Sequence, residues 1–476
     1  MVNRLDALDA AFLHVEEPTL PMHVGSVMVF QPPKEGFDYD RFISVIGDRI
    51  AGHTRYRQRI RSVPARLDNP VWVDDVHFDL TYHVRRSGLP SPGSRADLED
   101  FVARIMARPL DRDRPLWEAY FVEGLEGGRF AVVTKAHQAM VDGIHAVDLA
   151  HLIVDPDAVP VDERAGEPHP EPSDLRLVTD AVLGSVLNPA RAIATVRTGL
   201  SDVGQTGRQL VDGAGRIVST LARVGTKPAP SSPLNAPVGA ARRYVMVETD
   251  LEDYRAVRAR LTRGRYVEDV TVNDVILATI TGALRAWMQT RGLPVTGTSK
   301  IRAMIPVSIV DGSGDQLTDA AMTACFIDLP IGENTPSMRL HQISFAMRQQ
   351  IESAAAEGVS AGSLASISGF APPTLHSLGA RVASAMSRRL SNLVITNVPG
   401  PQQTLSVEGS RLCESYPVMP LGREQGLAIG LTSYDGKVYF GLNGDRESLA
   451  DLGLLAQCIE DALTELRTAP RARSGS

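Results

Sequence analysis

The run His137-Gln138-Ala139-Met140-Val141-Asp142-Gly143 holds the residues best suited to chemistry. It follows directly on Ala131-Val132-Val133-Thr134-Lys135, an apolar stretch that reads as a strand. A histidine at a strand end can project into a cleft and act as a general base. Asp142 can orient it or fix the turn, and Gly143 relieves crowding there. Gln138 takes no proton near neutral pH; its amide can hold a hydroxyl but not activate it. Loss of a general base typically costs about 10²–10⁴ in rate. His137 and His145 are the imidazoles nearest to Gln138 in the chain. Adjacent side chains of an extended segment face opposite sides, so His137 needs a local backbone change to reach the place of Gln138. Spacing alone is a weak signal, because an isolated histidine at a strand end is more often structural.

The surrounding elements alternate. Val27–Phe30, Val71–Val73, Leu80–Val84, Trp117–Val122 and Phe130–Thr134 read as strands, and Tyr39–Ile50 and Ala96–Ala107 as helices. Two Pro-rich stretches, Asp155–Asp174 and Lys227–Gly239, read as linkers around a helix-like segment, Leu175–Val224. Beyond them Arg243–Thr249, Ile301–Pro306 and Met322–Leu329 read as strands and Thr271–Met288 as a helix. Leu427–Tyr434 and Lys437–Leu442 form a hairpin about Asp435-Gly436, and Leu452–Leu466 is a final helix. The organisation expected is an N-terminal domain over 1–155, linkers and a helical crossover over 156–239, and a C-terminal domain over 240–476. Both domains have mixed α/β (α+β) character.

The 476 residues suit about two domains. With 43% hydrophobic residues, a core is easily supplied. The net charge of −7 argues against nucleic acid as a partner. Cys325, Cys413 and Cys458 have neither disulfide nor zinc spacing and read as buried free thiols in a reducing compartment. The N-terminus lacks the apolar core of a signal peptide, and no apolar run is long enough to span a membrane. A soluble, cytoplasmic protein without a metal site is expected. Peripheral contact with the inner membrane or a lipid droplet stays open.

Six blocks in order resemble the bacterial wax ester synthase/diacylglycerol acyltransferase family, across nearly the whole chain. They are Leu5-Asp6-Ala7-Leu8-Asp9-Ala10-Ala11-Phe12-Leu13, Pro21-Met22-His23-Val24-Gly25, and the block Leu110 to Glu118 around Pro115-Leu116-Trp117. His137 to Gly143, Thr271-Val272-Asn273-Asp274-Val275, and Ser391 to Pro401 with Asn397-Val398-Pro399-Gly400 complete the set. The resemblance implies two chloramphenicol-acetyltransferase-like domains with a tunnel between them. It implies transfer of a fatty acyl group from acyl-coenzyme A, a co-substrate and not a cofactor, to diacylglycerol or a long-chain alcohol. In relatives the second histidine of the motif deprotonates the acceptor hydroxyl, and the aspartate, here Asp142, mainly holds the loop. Gln138 stands at that histidine's place. Further departures fall at Val310, where relatives carry arginine, and at Ala320 and Ala321, where they carry an asparagine-arginine pair. A lipid-binding relative without turnover is the alternative, and a carrier-protein-dependent condensation enzyme a weaker third.

Plainer roles compete at several positions. Thr271 and Asp274 have capping-pair spacing, so Asn273-Asp274 is read as a helix start. Pro115-Leu116-Trp117 is read as packing. Asn397, Pro399 and Gly400 are either a strand ending in a tight turn or a substrate-binding part of the tunnel wall. The arginine-bearing segment 175–224 is read as a packed crossover in preference to a membrane-lying helix.

Overall fold

The computed structural model describes residues 3–5, 10, 12–13, 15–34, 36, 38–140, 149–154, 169–187, 228–261, 270–309, 321–355 and 390–469. Asp142, Gly143, His145, Val310, Ala320, most of the 155–174 linker and the crossover beyond Leu187 lie outside the described residues.

In chain order the strands are β1 His23–Gln31, β2 Gln58–Arg61, β3 Val71–Asp74, β4 Val84–Gly88, β5 Trp117–Leu125, β6 Arg129–His137 and β7 Arg242–Asp250. They continue with β8 Ile301–Ile309, β9 Ala321–Leu329, β10 Leu393–Pro399, β11 Ser406–Val407, β12 Ser410–Val418, β13 Leu427–Tyr434 and β14 Lys437–Asp445. The principal helices are α1 Tyr39–Ala51, α2 Arg95–Met106, α3 Leu149–Val154, α4 Asp174–Leu187, α5 Leu251–Leu261, α6 Val272–Thr290, α7 Pro336–Ala355 and α8 Leu452–Thr468. None of the described helices is long and apolar enough to cross a membrane.

Local sequence explains where these elements start. Asp38 accepts from the backbone N–H groups of Asp40 and Arg41 at the head of α1, whose Phe42, Ile46 and Ile50 are buried. Ser94 with Asp97, and Thr271 with Asp274, form reciprocal capping boxes on α2 and α6. Asp435 and Gly436 both take positive φ, as a two-residue hairpin turn requires, and join β13 to β14. Leu80–Val84 departs from the strand expected there. Asp79 accepts from the Thr81 backbone N–H and caps one helical turn, Leu80–His83, so the strand begins only at Val84.

Two six-stranded sheets result, in the orders β11-β12-β1-β6-β5-β4 and β7-β14-β13-β10-β8-β9. Pairing is antiparallel except at β4/β5, β10/β13 and β10/β8. Each sheet packs with its helices around its own apolar core. The boundary at residue 240 assigns 406–418 to the C-terminal unit. In the structure β12 pairs with β1, Ser26 opposite Pro417, so this segment completes the N-terminal sheet. The crossing brings the sheets together. Leu20, Met22 and Val24 pack with Met419, Leu421 and Ala428 in one buried cluster. The Lys227–Gly239 linker, from Pro228 on, is anchored, not loose: Leu234 is buried, and its carbonyl accepts from Gly426 N–H at 2.7 Å. In α4, Leu177 packs on Val63, Val71 and Val73, while Leu175 and Leu183 face outward. Cys325 and Cys458 are buried as expected, whereas Cys413 is only half-buried.

Candidate active site

The ladder between β1 and β6 positions the motif. His23 lies opposite His137, Val24 opposite Ala136 and Ser26 opposite Thr134. The Gln138 N–H donates to the Met22 carbonyl at 2.9 Å, so the ladder runs one residue past the strand before a 3₁₀ turn, Gln138–Met140. Side chains alternate along a strand. Val24, Ser26, Thr134 and Ala136 therefore share one face, and His23, Lys135 and His137 share the other.

His137 is buried on that other face. Its Nδ1 accepts from the Ala139 N–H at 2.9 Å, and its Nε2 lies 3.6 Å from Glu16 Oε2. Accepting at Nδ1 leaves the neutral ring's proton on Nε2, toward the carboxylate. Glu16 also receives Arg112 at 2.6 Å and the Met22 N–H at 3.2 Å. Burial pushes the Glu16 carboxyl up, but His137, Arg112 and His23 outweigh it and hold the group far below the usual carboxylate range. Burial holds the His23 imidazole well below its ordinary value, and Lys135 adds to this. Its Nδ1 is 3.0 Å from the Met106 carbonyl. Burial also pulls Lys135 down to about 8, against the attraction of Glu118 at 3.6 Å.

Gln138 is completely buried. In register with Met22, it lies beside the cluster that joins the two sheets. Further along the same face a cleft opens, with about 550 Å³ of empty space including its mouth. Ser26 and Met28 of β1, His151 of α3, and Pro399, Gly400 and Thr432 from the second sheet are among its lining residues. Most of the remaining lining is aliphatic or aromatic, which suits a lipid chain.

The other motif residues separate into roles. The Pro399-Gly400 turn lines the cleft, so it is both a strand end and a cleft wall. A Cβ on Gly400 would sit 2.7 Å from the Ser433 carbonyl oxygen, so the close approach needs glycine. The Asn397 amide donates to Asn273 Oδ1 at 2.9 Å and links two of the sequence blocks. Asp274 is buried in the α6 capping box, the structural role expected of it. Leu116 and Trp117 are buried core. Trp117 stacks on His83 at 4.6 Å and donates to the Tyr56 carbonyl at 2.8 Å, while the Pro115 carbonyl accepts from the Trp117 N–H. Neither Glu16 nor His151 stood out from sequence. Glu16 is an acid in a loop, and His151 is masked by the apolar periodicity of Leu149, Leu152 and Ile153.

Similarity to known proteins gives the family. The model of the wax ester synthase/diacylglycerol acyltransferase catalytic domain matches residues 5–276, and that of the family's C-terminal domain matches 320–467. The chain belongs to the wax ester synthase/diacylglycerol acyltransferase family. A probable diacylglycerol O-acyltransferase of Mycobacterium tuberculosis is 41% identical over 264 residues, 55% of this chain and 97% of that protein. Another from the same organism is 32% identical over 469 residues, 98% of this chain and 96% of that one. The wax ester synthase/diacylglycerol acyltransferase of Marinobacter aquaeolei VT8 superposes with a TM-score of 0.64 at 27% identity, covering 98% of each chain. The first condensation domain of the calcium-dependent antibiotic synthetase shares the two-domain fold, with a TM-score of 0.57 at 14% identity over 99% of this chain and 97% of that one. Family membership thus makes this chain an acyltransferase homologue along its whole length.

Proposed function

We propose that this family member transfers a fatty acyl group from acyl-coenzyme A to the free hydroxyl of diacylglycerol, giving triacylglycerol and coenzyme A. A long-chain alcohol is the alternative acceptor. The observation that carries the reading is the apolar cleft between the sheets, walled by the Pro399-Gly400 turn of one family block and by β1, the strand that continues another. The relatives named diacylglycerol O-acyltransferases supply the acceptor class. In this reading Gln138 keeps a hydrogen-bonding side chain at the motif position, and His137 positions the loop through Glu16 and Ala139. Acyl-coenzyme A is consumed as a co-substrate. Contact with a membrane or lipid-droplet surface would be peripheral.

The reaction is tested by coenzyme A release that depends on diacylglycerol, with triacylglycerol identified as product. Release that appears equally without any acceptor would reject acyl transfer. The burial of a glutamine at the base position favours a second reading, a lipid-binding relative without turnover. It predicts saturable acyl-coenzyme A binding and no product.

A further inference from the structure

We infer that His151 is the base that deprotonates the acceptor hydroxyl in this chain, in place of the histidine absent at position 138. The inference rests on the acyl-transfer reading above. It follows from the described imidazoles and from the cleft wall. His23, His53, His83 and His137 are buried in the body of the fold, and none of the four lines the cleft. His169 is at the surface against Asp74. Neither His77 nor His341 lines the cleft. His151 does line it, from α3, and is half-buried there.

The cleft's other polar side chains cannot do this work. Thr432 donates to the Val398 carbonyl at 2.8 Å. The Tyr434 hydroxyl donates to the Leu412 carbonyl at 3.1 Å and accepts from the Leu405 N–H at 2.8 Å. Ser26 is paired with Thr134 at 3.0 Å, and serine hydroxyls such as Ser26 and Ser415 do not take a proton near neutral pH. An imidazole does. Among the described residues lining the cleft, His151 is thus the side chain able to accept the proton.

The step balances without any further reactant. A ring nitrogen of His151 takes the hydroxyl proton as the oxygen attacks the thioester carbonyl. The carbon–sulfur bond then breaks, and the coenzyme A thiolate leaves with the proton returned by the imidazolium.

The test compares the full-length native protein with His151→Gln, His151→Asn, Gln138→His and the Gln138→His/His151→Gln double variant, each checked for an unchanged melting temperature. The probes are palmitoyl-coenzyme A and dioleoylglycerol in detergent. The inference expects kcat to fall by about 10²-fold or more in both His151 variants, with substrate binding retained. It also expects loss of the acid limb of the pH–rate profile and recovery in the double variant, which returns a base to the motif. A native protein that turns over equally well without His151 overturns the inference and leaves acyl transfer standing. So does a silent native protein made active by Gln138→His alone. Silence of both overturns the inference and the acyl-transfer reading together.

Discussion

His137 Nε2 and Glu16 Oε2 stand 3.6 Å apart on the face of β6 turned away from the inter-sheet cleft. With Nδ1 held by the Ala139 N–H, the ring pins the turn after β6 to the segment leading into β1. Replacing His137 by alanine leaves a buried N–H without its acceptor, a cost of about 1–3 kcal/mol. The expected outcome is a lower denaturation midpoint with the shape of the pH–rate profile unchanged. Loss of one limb of that profile would instead make His137 a titrating participant in the reaction.

Two carboxyls set opposite pH dependences. Glu16 is held below its unfolded value of 4.5, so its contribution is present above that pH and lost as pH falls further. Glu99 on α2 accepts from the Met246 N–H at 2.8 Å, while burial pushes it up to about 7. Between 4.5 and 7 the folded state holds a proton on Glu99 that the unfolded chain has lost, so that contribution disappears as pH rises through this window. Glu99→Gln keeps an acceptor for Met246 and removes the titration. The urea midpoint at pH 8, relative to that at pH 5, is expected to be higher in Glu99→Gln than in the native protein; an unchanged difference would contradict this.

Gly441 of β14 faces the crossing strand β12. A Cβ there would lie 1.8 Å from the Pro417 carbonyl oxygen and 2.5 Å from the Tyr244 hydroxyl. That hydroxyl donates to the same carbonyl at 2.9 Å. Gly441→Ala must push β12 off the second sheet, and overpacking of this kind costs about 1–3 kcal/mol or more. Thermal unfolding is expected at a clearly lower temperature than for Gly297→Ala, where a Cβ meets nothing within 4 Å. Equal effects would place the sheets less tightly together.

Asn273 and Asn397 couple α6 to the strand that ends in the cleft wall. Single alanine replacements and their combination form a double-mutant cycle. A coupling of about 0.5–3 kcal/mol is expected for groups in direct contact. Strict additivity would make each asparagine independent of the other.

Much of this was legible in the chain. Alternation and 3.6-residue periodicity marked β1, β5, β13, β14, α1 and α6, because each buries one coherent apolar set. Thr271 and Asp274 disclosed their cap by spacing alone. The membership of β12 was not legible. Its residues Ser410–Val418 mix charged and aromatic side chains, and pairing with β1 nearly four hundred residues away leaves no local trace. The face on which His137 lies did follow from strand geometry, but the Glu16 partner beside it there did not. His151 was hidden for a related reason, since its helix reads as packing until the second sheet closes over it.

The central claim is turnover by a chain with glutamine at the motif's base position, and coenzyme A release measures it directly. Native protein and Gln138→His are assayed with palmitoyl-coenzyme A, with and without dioleoylglycerol. The account predicts acceptor-dependent release by the native protein, with triacylglycerol formed in equal amount, and faster release by Gln138→His. Saturable binding of both substrates with no release by the native protein would contradict it and leave a lipid-binding member of the family.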